Sequence, residues 1–343
     1  MPRQPPAEQE PKRGLPAVHS AREARERGRY PAPKFWAWTG IILAVTSIVY
    51  WKWSQGKVES ERSSLLARQR AVFAELGPRW FPLRDRIEHW TLDLAKTAEP
   101  EIVDQEALKT WDFRDKPGVY LRLDVEQAND PEAIRKAANN SLRDGFTACL
   151  GRADNQSQIV GKECMRTRDC AIGEICNELD RCAKPAQPYN LRVAYRSLRV
   201  LSEDWVREAQ AADGELKLRG FEQFFEDAVK DDIPIAVDLL TRAQYFLLVL
   251  DESVPNLKVP PGSSPSEALR GVPHPSRVGL WRLSDGKQIL RIRRAPEADL
   301  KEANSPSEER VMAAQRRQAQ SCALAMAVRQ AMGDPAVGGL ISP

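Results

Sequence analysis

One stretch constrains this chain more than any other: Phe35 to Trp51, FWAWTGIILAVTSIVYW, an uncharged run of 17 residues. About 17 to 25 predominantly apolar residues are needed for a helix to cross the hydrocarbon core of a bilayer. The ends of the run are aromatic, with Trp36 and Trp38 on one side and Tyr50, Trp51 and Trp53 on the other. Amphipathic rings favour the two water interfaces, where the ring is dehydrated and its polar tip stays wet. Residues 35–53 therefore read as a single transmembrane signal anchor in contact with the lipid bilayer. A cleaved leader fits less well, because Trp51-Lys52-Trp53 stands where a small-x-small cleavage site belongs.

Residues 1–34 carry eight Lys/Arg against four Glu, a net +4. Basic flanks stay on the cytoplasmic side of a membrane, so this tail is expected in the cytoplasm. The whole chain of 343 residues has a net charge of only +3, and removing the tail and Lys52 leaves −2 from Ser54 onward. No strong one-sign field is built in, which argues against a nucleic-acid partner. Lys52, Lys57, Arg62, Arg68 and Arg70 also flank the far side of the run, so the placement of the cysteines decides the orientation.

All six cysteines, Cys149, Cys164, Cys170, Cys176, Cys182 and Cys322, follow the run. An even number in one translocated segment is what an oxidising compartment favours. Four of them form Cys164-x5-Cys170-x5-Cys176-x5-Cys182, in which three pairings exist and sequence does not choose among them. A structural zinc site usually draws two ligands from a tight C-x2-4-C turn, and no neighbouring His completes a set, so disulfides are expected and a metal is not. Cys149 and Cys322 remain as a pair on apolar stripes of two expected helices. If they are bridged, they staple distant parts of the chain; two buried thiols are the alternative.

The segment CMRTRDCAIGEICNELDRC, with Asp169 before Cys170, Gly173 three residues after it, and Cys176 and Cys182 closing the pattern, resembles the short cysteine-rich motif of many secreted and envelope-exposed bacterial proteins. It is loosely similar to Dickkopf- or colipase-like modules. The resemblance implies an extracytoplasmic location and no catalytic role.

The patterning beyond the anchor implies a helical stalk over 54–115, with a break at Gly77-Pro78, although the same stripes would equally pack on the main domain. A mixed-sheet domain of α+β or α/β class is expected over 116–335, interrupted by a cysteine-rich insertion at 161–184 and followed by a tail at 336–343. Its strands are read at Val119 to Val125, in the alternating run Leu191 to Leu201, and in the continuous apolar run Tyr245 to Leu250. Asp130-Pro131-Glu132 announces a helix that runs to Cys149, and Ser305-Pro306-Ser307-Glu308 announces the last one. Val278 to Arg294 reads as a hairpin turning at Asp285-Gly286. Pairing Ser284 with Lys287 places Trp281, Leu283, Leu290 and Ile292 on the core face, and Arg282, Arg291 and Arg293 together on the other. That cluster is the candidate surface for an anionic envelope polymer, a lipid headgroup or an acidic protein partner, with a solvated sheet face or salt-bridged cover as the alternative.

No nucleophile, phosphate-loop or metalloprotease motif is present. The reading is a non-enzymatic protein of the bacterial inner membrane whose periplasmic domain binds or scaffolds an envelope partner, without a cofactor. The alternative is a membrane-tethered hydrolase or transferase with its site at Asp251 and Glu252. These acids follow the central strand, where α/β folds place function, and His274 is their nearest candidate partner.

Overall fold

The computed structural model describes residues 33–96, 100–109, 111, 113, 116–141, 145–151, 161–171, 174–176, 181–183, 188–298 and 306–333. The expected tails 1–34 and 336–343 fall almost wholly outside the described residues. The chain divides into two compact units, Met1–Ser63 and Ser64–Pro343.

Helix α1 spans Pro33–Lys96. In the first unit its apolar side chains are solvent-exposed, with Ile42 at 56%, Leu43 at 65% and Trp51 at 62%. Among the described residues no helix is long and apolar enough to cross a membrane, so the expected transmembrane helix is not found there. The reason is dilution of a run already at the lower limit of length: Thr39, Thr46 and Ser47 interrupt it, and Lys52 stands inside its aromatic frame. The hydroxyl of Thr46 turns back onto the carbonyl of Ile42 at 2.9 Å, the usual way a helix absorbs such a group.

The expected break at Gly77-Pro78 does not occur, and α1 runs on through both Pro78 and Pro82. Each proline removes one helical N–H. Both stand on the exposed side, where water can solvate the carbonyls left without a donor. Leu76, Trp80, Leu83, Ile87 and Leu94 on the opposite side are buried and hold the helix on either side of the prolines. Residues 64–96 are thus a layer of the second unit, and the stalk expected over 54–115 has no boundary at residue 115.

The second unit is built on a six-stranded mixed sheet, confirming the α+β class with its disulfides. In chain order the strands are β1 (Ile102–Val103), β2 (Gly118–Asp124), β5 (Tyr189–Asn190), β6 (Tyr245–Asp251), β7 (Ser276–Arg282) and β8 (Gln288–Arg294), with spatial order β1-β8-β7-β6-β2-β5. Strands β2 and β6 run parallel, and β6, β7, β8 and β1 follow as antiparallel neighbours. Both central strands are buried along their whole length, as near-continuous apolar sequence demands of a sheet covered on two faces.

The first connecting helices are α2 (Gln105–Leu108), α3 (Pro131–Asn139), α4 (Phe146–Gly151), α5 (Arg192–Ser197) and α6 (Glu203–Gln210). They are followed by α7 (Glu215–Asp227), α8 (Ile233–Arg242), α9 (Pro265–Arg270) and α10 (Pro306–Ala331). On one face Tyr120, Leu247, Val249, Val278, Leu280 and Ile292 pack with Phe146 of α4 and Leu324 and Val328 of α10. On the other, Trp281, Trp90 of α1 and Phe246 of β6 form a cluster of three stacked rings, with Trp281 5.6 Å from each of the other two and those 6.1 Å apart.

Three expectations are corrected. The run Leu191 to Leu201 is helical rather than a strand, as α5 followed by a 3-10 turn at Leu198–Leu201. Its buried residues Leu191, Ala194, Tyr195, Leu198 and Leu201 fall at three- and four-residue steps, and that period won. The helix expected from Pro131 to Cys149 is two helices, because Asn139-Asn140-Ser141 is poor helix interior and the Ser141 hydroxyl bonds the Arg122 carbonyl instead. The hairpin register also differs: Leu280 faces Leu290 and Trp281 faces Gln288 across a bulge. Trp281 is thereby turned away from the face of Leu280 and Leu290 and placed on the α1 side.

Candidate functional site

The six cysteines form three disulfides and none is free among the described residues. Cys149–Cys322 ties α4 to α10 across 173 residues. In the insertion the pairing is first with third and second with fourth, Cys164–Cys176 and Cys170–Cys182, beside a two-residue hairpin of β3 (Ile175–Cys176) and β4 (Cys182–Ala183). The sulfurs of Cys164, Cys170 and Cys182 lie within 4.8 Å of one another, but each is spent in a disulfide and so is not a thiolate ligand. Asp169, the residue before Cys170, accepts the backbone N–H groups of Met165 and Arg166 at 3.0 and 2.9 Å. These bonds hold the loop between the bridges and draw the carboxyl below its usual range.

The three arginines of the hairpin do not form one open patch. Arg282 is held by Asp285 of its own turn through three bonds of 2.6 to 3.1 Å. Arg291 is nearly buried and reaches Asp93 of α1 at 2.6 Å. Arg293 takes both oxygens of Glu252, at 2.7 to 3.2 Å. Glu252 also accepts from Arg277 at 2.7 Å. These hydrogen bonds, Arg293 first, outweigh partial burial and hold the Glu252 carboxyl below its ordinary range. One of the two acids considered for catalysis is therefore the counter-charge of the proposed basic surface.

Asp251 and His274 do come together. Asp251 ends β6 with 0% exposure. Its Oδ2 accepts from Arg122 Nε at 2.7 Å and Arg270 Nε at 3.2 Å. Its Oδ1 accepts from Arg122 Nη2 at 3.0 Å and the Ser276 hydroxyl at 2.8 Å, with His274 Nε2 at 3.1 Å. His274 Nε2 makes no hydrogen bond among the described residues, and its Nδ1 lies 2.8 Å from the Val272 carbonyl. Burial alone would raise the Asp251 carboxyl, but Arg122, His274 and Arg270 overcome it and keep the group well below the usual carboxylate range. A carboxylate so enclosed by donors has no free lone pair for a substrate proton and no path for a nucleophilic attack.

Arg122, Arg270 and Ser276, the residues that make this hub, were not singled out from sequence. The available signal was Arg122 itself, a charge inside the apolar strand VYLRLDV, sharing a face with Tyr120 and Asp124 by the two-residue period. Ser321 of α10 accepts from Arg122 Nη1 at 3.0 Å, a long-range partner that no local pattern announces.

A concavity of about 730 Å³ lies elsewhere in the second unit, between α1, α3, α5 and α6. Trp80, Tyr195 and Leu198 form its floor and Lys136, Arg199 and Arg207 belong to its rim. Trp80 and Tyr195 meet edge to face at 5.4 Å, and the Tyr195 hydroxyl is buried without a hydrogen-bond partner among the described residues. Arg199 is neutralised by Glu208 and Arg207 by Asp204. No protein-family model, no curated protein and no solved structure matches the chain.

Proposed function

We propose that this is a non-enzymatic, membrane-tethered envelope protein whose disulfide-stapled domain binds or scaffolds a partner outside the cytoplasm. The observation that carries the reading is the saturation of Asp251: the best acid in the sequence is spent as the fixed counter-charge of two buried arginines. The exposed belt from Trp36 to Trp53 supports a tether, because so much contiguous apolar surface is unstable in water and marks an interaction with lipid or protein. We assign residues 35–53 to the bilayer of a bacterial inner membrane, with residues 1–34 cytoplasmic and the second unit periplasmic. Closure of all six cysteines supports that side of the membrane. The partner is an envelope protein or an anionic envelope polymer, and the ion pairs at Arg282, Arg291 and Arg293 favour the protein.

The test is photo-crosslinking in native membranes, with the reactive residue placed in turn at Arg207 in the concavity and at Arg282 on the hairpin. A discrete protein adduct from one position and not the other supports the scaffold and locates its surface. Turnover of an ester, amide or glycoside by the purified chain, abolished in Asp251→Asn while the melting temperature is kept, would replace this reading with the tethered hydrolase.

A further inference from the structure

At the carboxyl end of β2 a second cavity, of about 360 Å³, is walled by Arg122, Lys136, Asn140, Ser141, Ser266 and Arg270. We propose that it binds the phosphate group of a small phosphomonoester, and this holds whether or not the chain is membrane-tethered. The site lies outside the ends of parallel strands, the position at which open α/β sheets leave a crevice for ligands. Its volume is within the range of small-molecule sites.

The chemistry of the wall is donor-rich. Arg122 and Arg270 are 1% and 3% exposed; Asp251 offsets one of their two charges, and the one left over acts in a medium that screens it little. Their hold on Asp251 fixes both guanidinium planes in advance, so that ordering them costs the ligand nothing. Lys136, on α3, is exposed and makes no ion pair among the described residues. Glu126 is the acid in the wall. Asp124 stands behind Ser266, whose hydroxyl bonds it, and burial pushes its carboxyl above the ordinary value.

Phosphate, rather than carboxylate, follows from direction. The donors come from three separate elements: Arg122 from β2, Lys136 and Asn140 from α3 and its C-terminal end, and Arg270 from α9, while Ser266 gives its proton to Asp124. A tetrahedral phosphate monoester offers three free oxygens pointing in different directions, one more than the two coplanar oxygens of a carboxylate, and so meets donors that converge from several elements. The same group occurs on free metabolites and on anionic lipid headgroups, and the shared chemistry is the phosphomonoester.

The experiment is calorimetric titration of the full chain in neutral detergent with glycerol 3-phosphate, inorganic phosphate and citrate. Saturable binding of glycerol 3-phosphate is expected, weakened at least tenfold by Lys136→Ala, abolished by Lys136→Glu, and tightened several-fold by Glu126→Gln, with the melting temperature of each unliganded variant unchanged. In parallel, vesicles of phosphatidylcholine with and without phosphatidic acid are titrated against wild type and Lys136→Ala. Binding of the soluble ester assigns a free small molecule. Binding confined to phosphatidic acid vesicles and lost in Lys136→Ala assigns the headgroup. Absence of binding in both arms at millimolar ligand, binding indifferent to residues 126 and 136, or preference for citrate overturns the proposal.

Discussion

Asp124 and Asp251 are register partners at the carboxyl ends of the parallel strands β2 and β6, both buried, and the fold shifts them in opposite directions. Asp251 is enclosed by Arg122, Arg270 and Ser276 and held ionised. Asp124 takes one hydroxyl from Ser266, has no hydrogen-bond partner for Oδ1 among the described residues, and is pushed upward by burial. One carboxylate is a structural counter-ion and the other is a buried acid that resists losing its proton.

This divergence fixes the sign of two pH effects. The folded carboxyl of Asp251 lies below its ordinary value of 3.8, so the stability it contributes is present above that value and is lost as pH falls through the folded pKa. For Asp124 the folded value lies above 3.8, so the native state holds the extra proton and stability declines as pH rises through the window between the two values. Asp124→Asn is therefore expected to stabilise the full chain at pH 7 and to have little effect at pH 3.5. Urea midpoints at the two pH values check this, and a destabilisation at pH 7 would show that Asp124 is needed ionised.

Removing the Asp251 charge is expected to be far more damaging. Asp251→Ala leaves Arg122 and Arg270 buried around a missing counter-charge, and breaking such a pair costs about 3–5 kcal/mol. The triple variant Arg122→Met, Arg270→Met and Asp251→Asn removes all three charges at nearly constant volume and should recover part of that loss. Denaturant unfolding of the two variants beside wild type measures the difference.

The sheet was legible in sequence because its strands advertise themselves. Tyr245 to Leu250 is apolar without interruption, Asp285-Gly286 marks its turn with Gly286 at φ +71°, and the two-residue period of Val119 to Leu123 is plain. The pairing of Cys149 with Cys322 was legible by elimination. The role of α1 was not: Ile87, Trp90 and Leu94 form an apolar stripe that suits a stalk or a sheet cover equally, and only Trp281, turned toward it by the bulge, decides. The Asp251 hub was half legible, since the acid and His274 could be named. Its arginines come from 129 residues upstream and 19 downstream, and sequence patterns do not carry such separations.

The three disulfides should differ in what they contribute. A loop closed over 173 residues restricts the unfolded chain by about 5 kcal/mol in the chain-entropy account, against about 3 kcal/mol for each 12-residue separation in the insertion. Replacing Cys149 and Cys322 by Ala is expected to lower the thermal midpoint more than replacing Cys164 and Cys176. Calorimetry of the two double variants tests the order, and equal losses would count against the long-range staple.

Gly279 is expected to tolerate no side chain. A Cβ there would stand 2.3 Å from Trp281 Cη2 and 3.2 Å from Leu94 Cδ2, between the sheet and α1. Gly279→Ala must displace the ring from its stack with Trp90 and Phe246, an overpacking effect of about 1–3 kcal/mol. The tryptophan emission maximum should move to the red as Trp281 loses its packing, and an unchanged spectrum with unchanged stability would contradict the placement of α1 on the sheet.

The hairpin arginines provide the last prediction, because their ion pairs set how the surface meets a polyanion. Arg282 with Asp285 and Arg293 with Glu252 are exposed or partly exposed pairs, and pairs of this kind contribute little to stability. Arg282→Ala and Arg293→Ala should therefore leave the unfolding midpoint in place, while Arg291→Ala, at a nearly buried site anchored to Asp93, lowers it. Polyanion binding should follow a different order. Glu252 holds Arg277 and Arg293 together, so Glu252→Gln removes the charge that offsets them, and of the two it is the half-exposed Arg293 that then presents its charge to solvent, Arg277 staying bonded to the Leu94 and Ala95 carbonyls. Its retention on a polyanion column should rise at low salt and return to the wild-type value as salt screens the new field. Equal elution of wild type and Glu252→Gln at low salt would mean that Glu252 does not govern this face. Strong wild-type retention lost in Arg282→Ala and Arg293→Ala would restore the hairpin as an anionic-polymer surface.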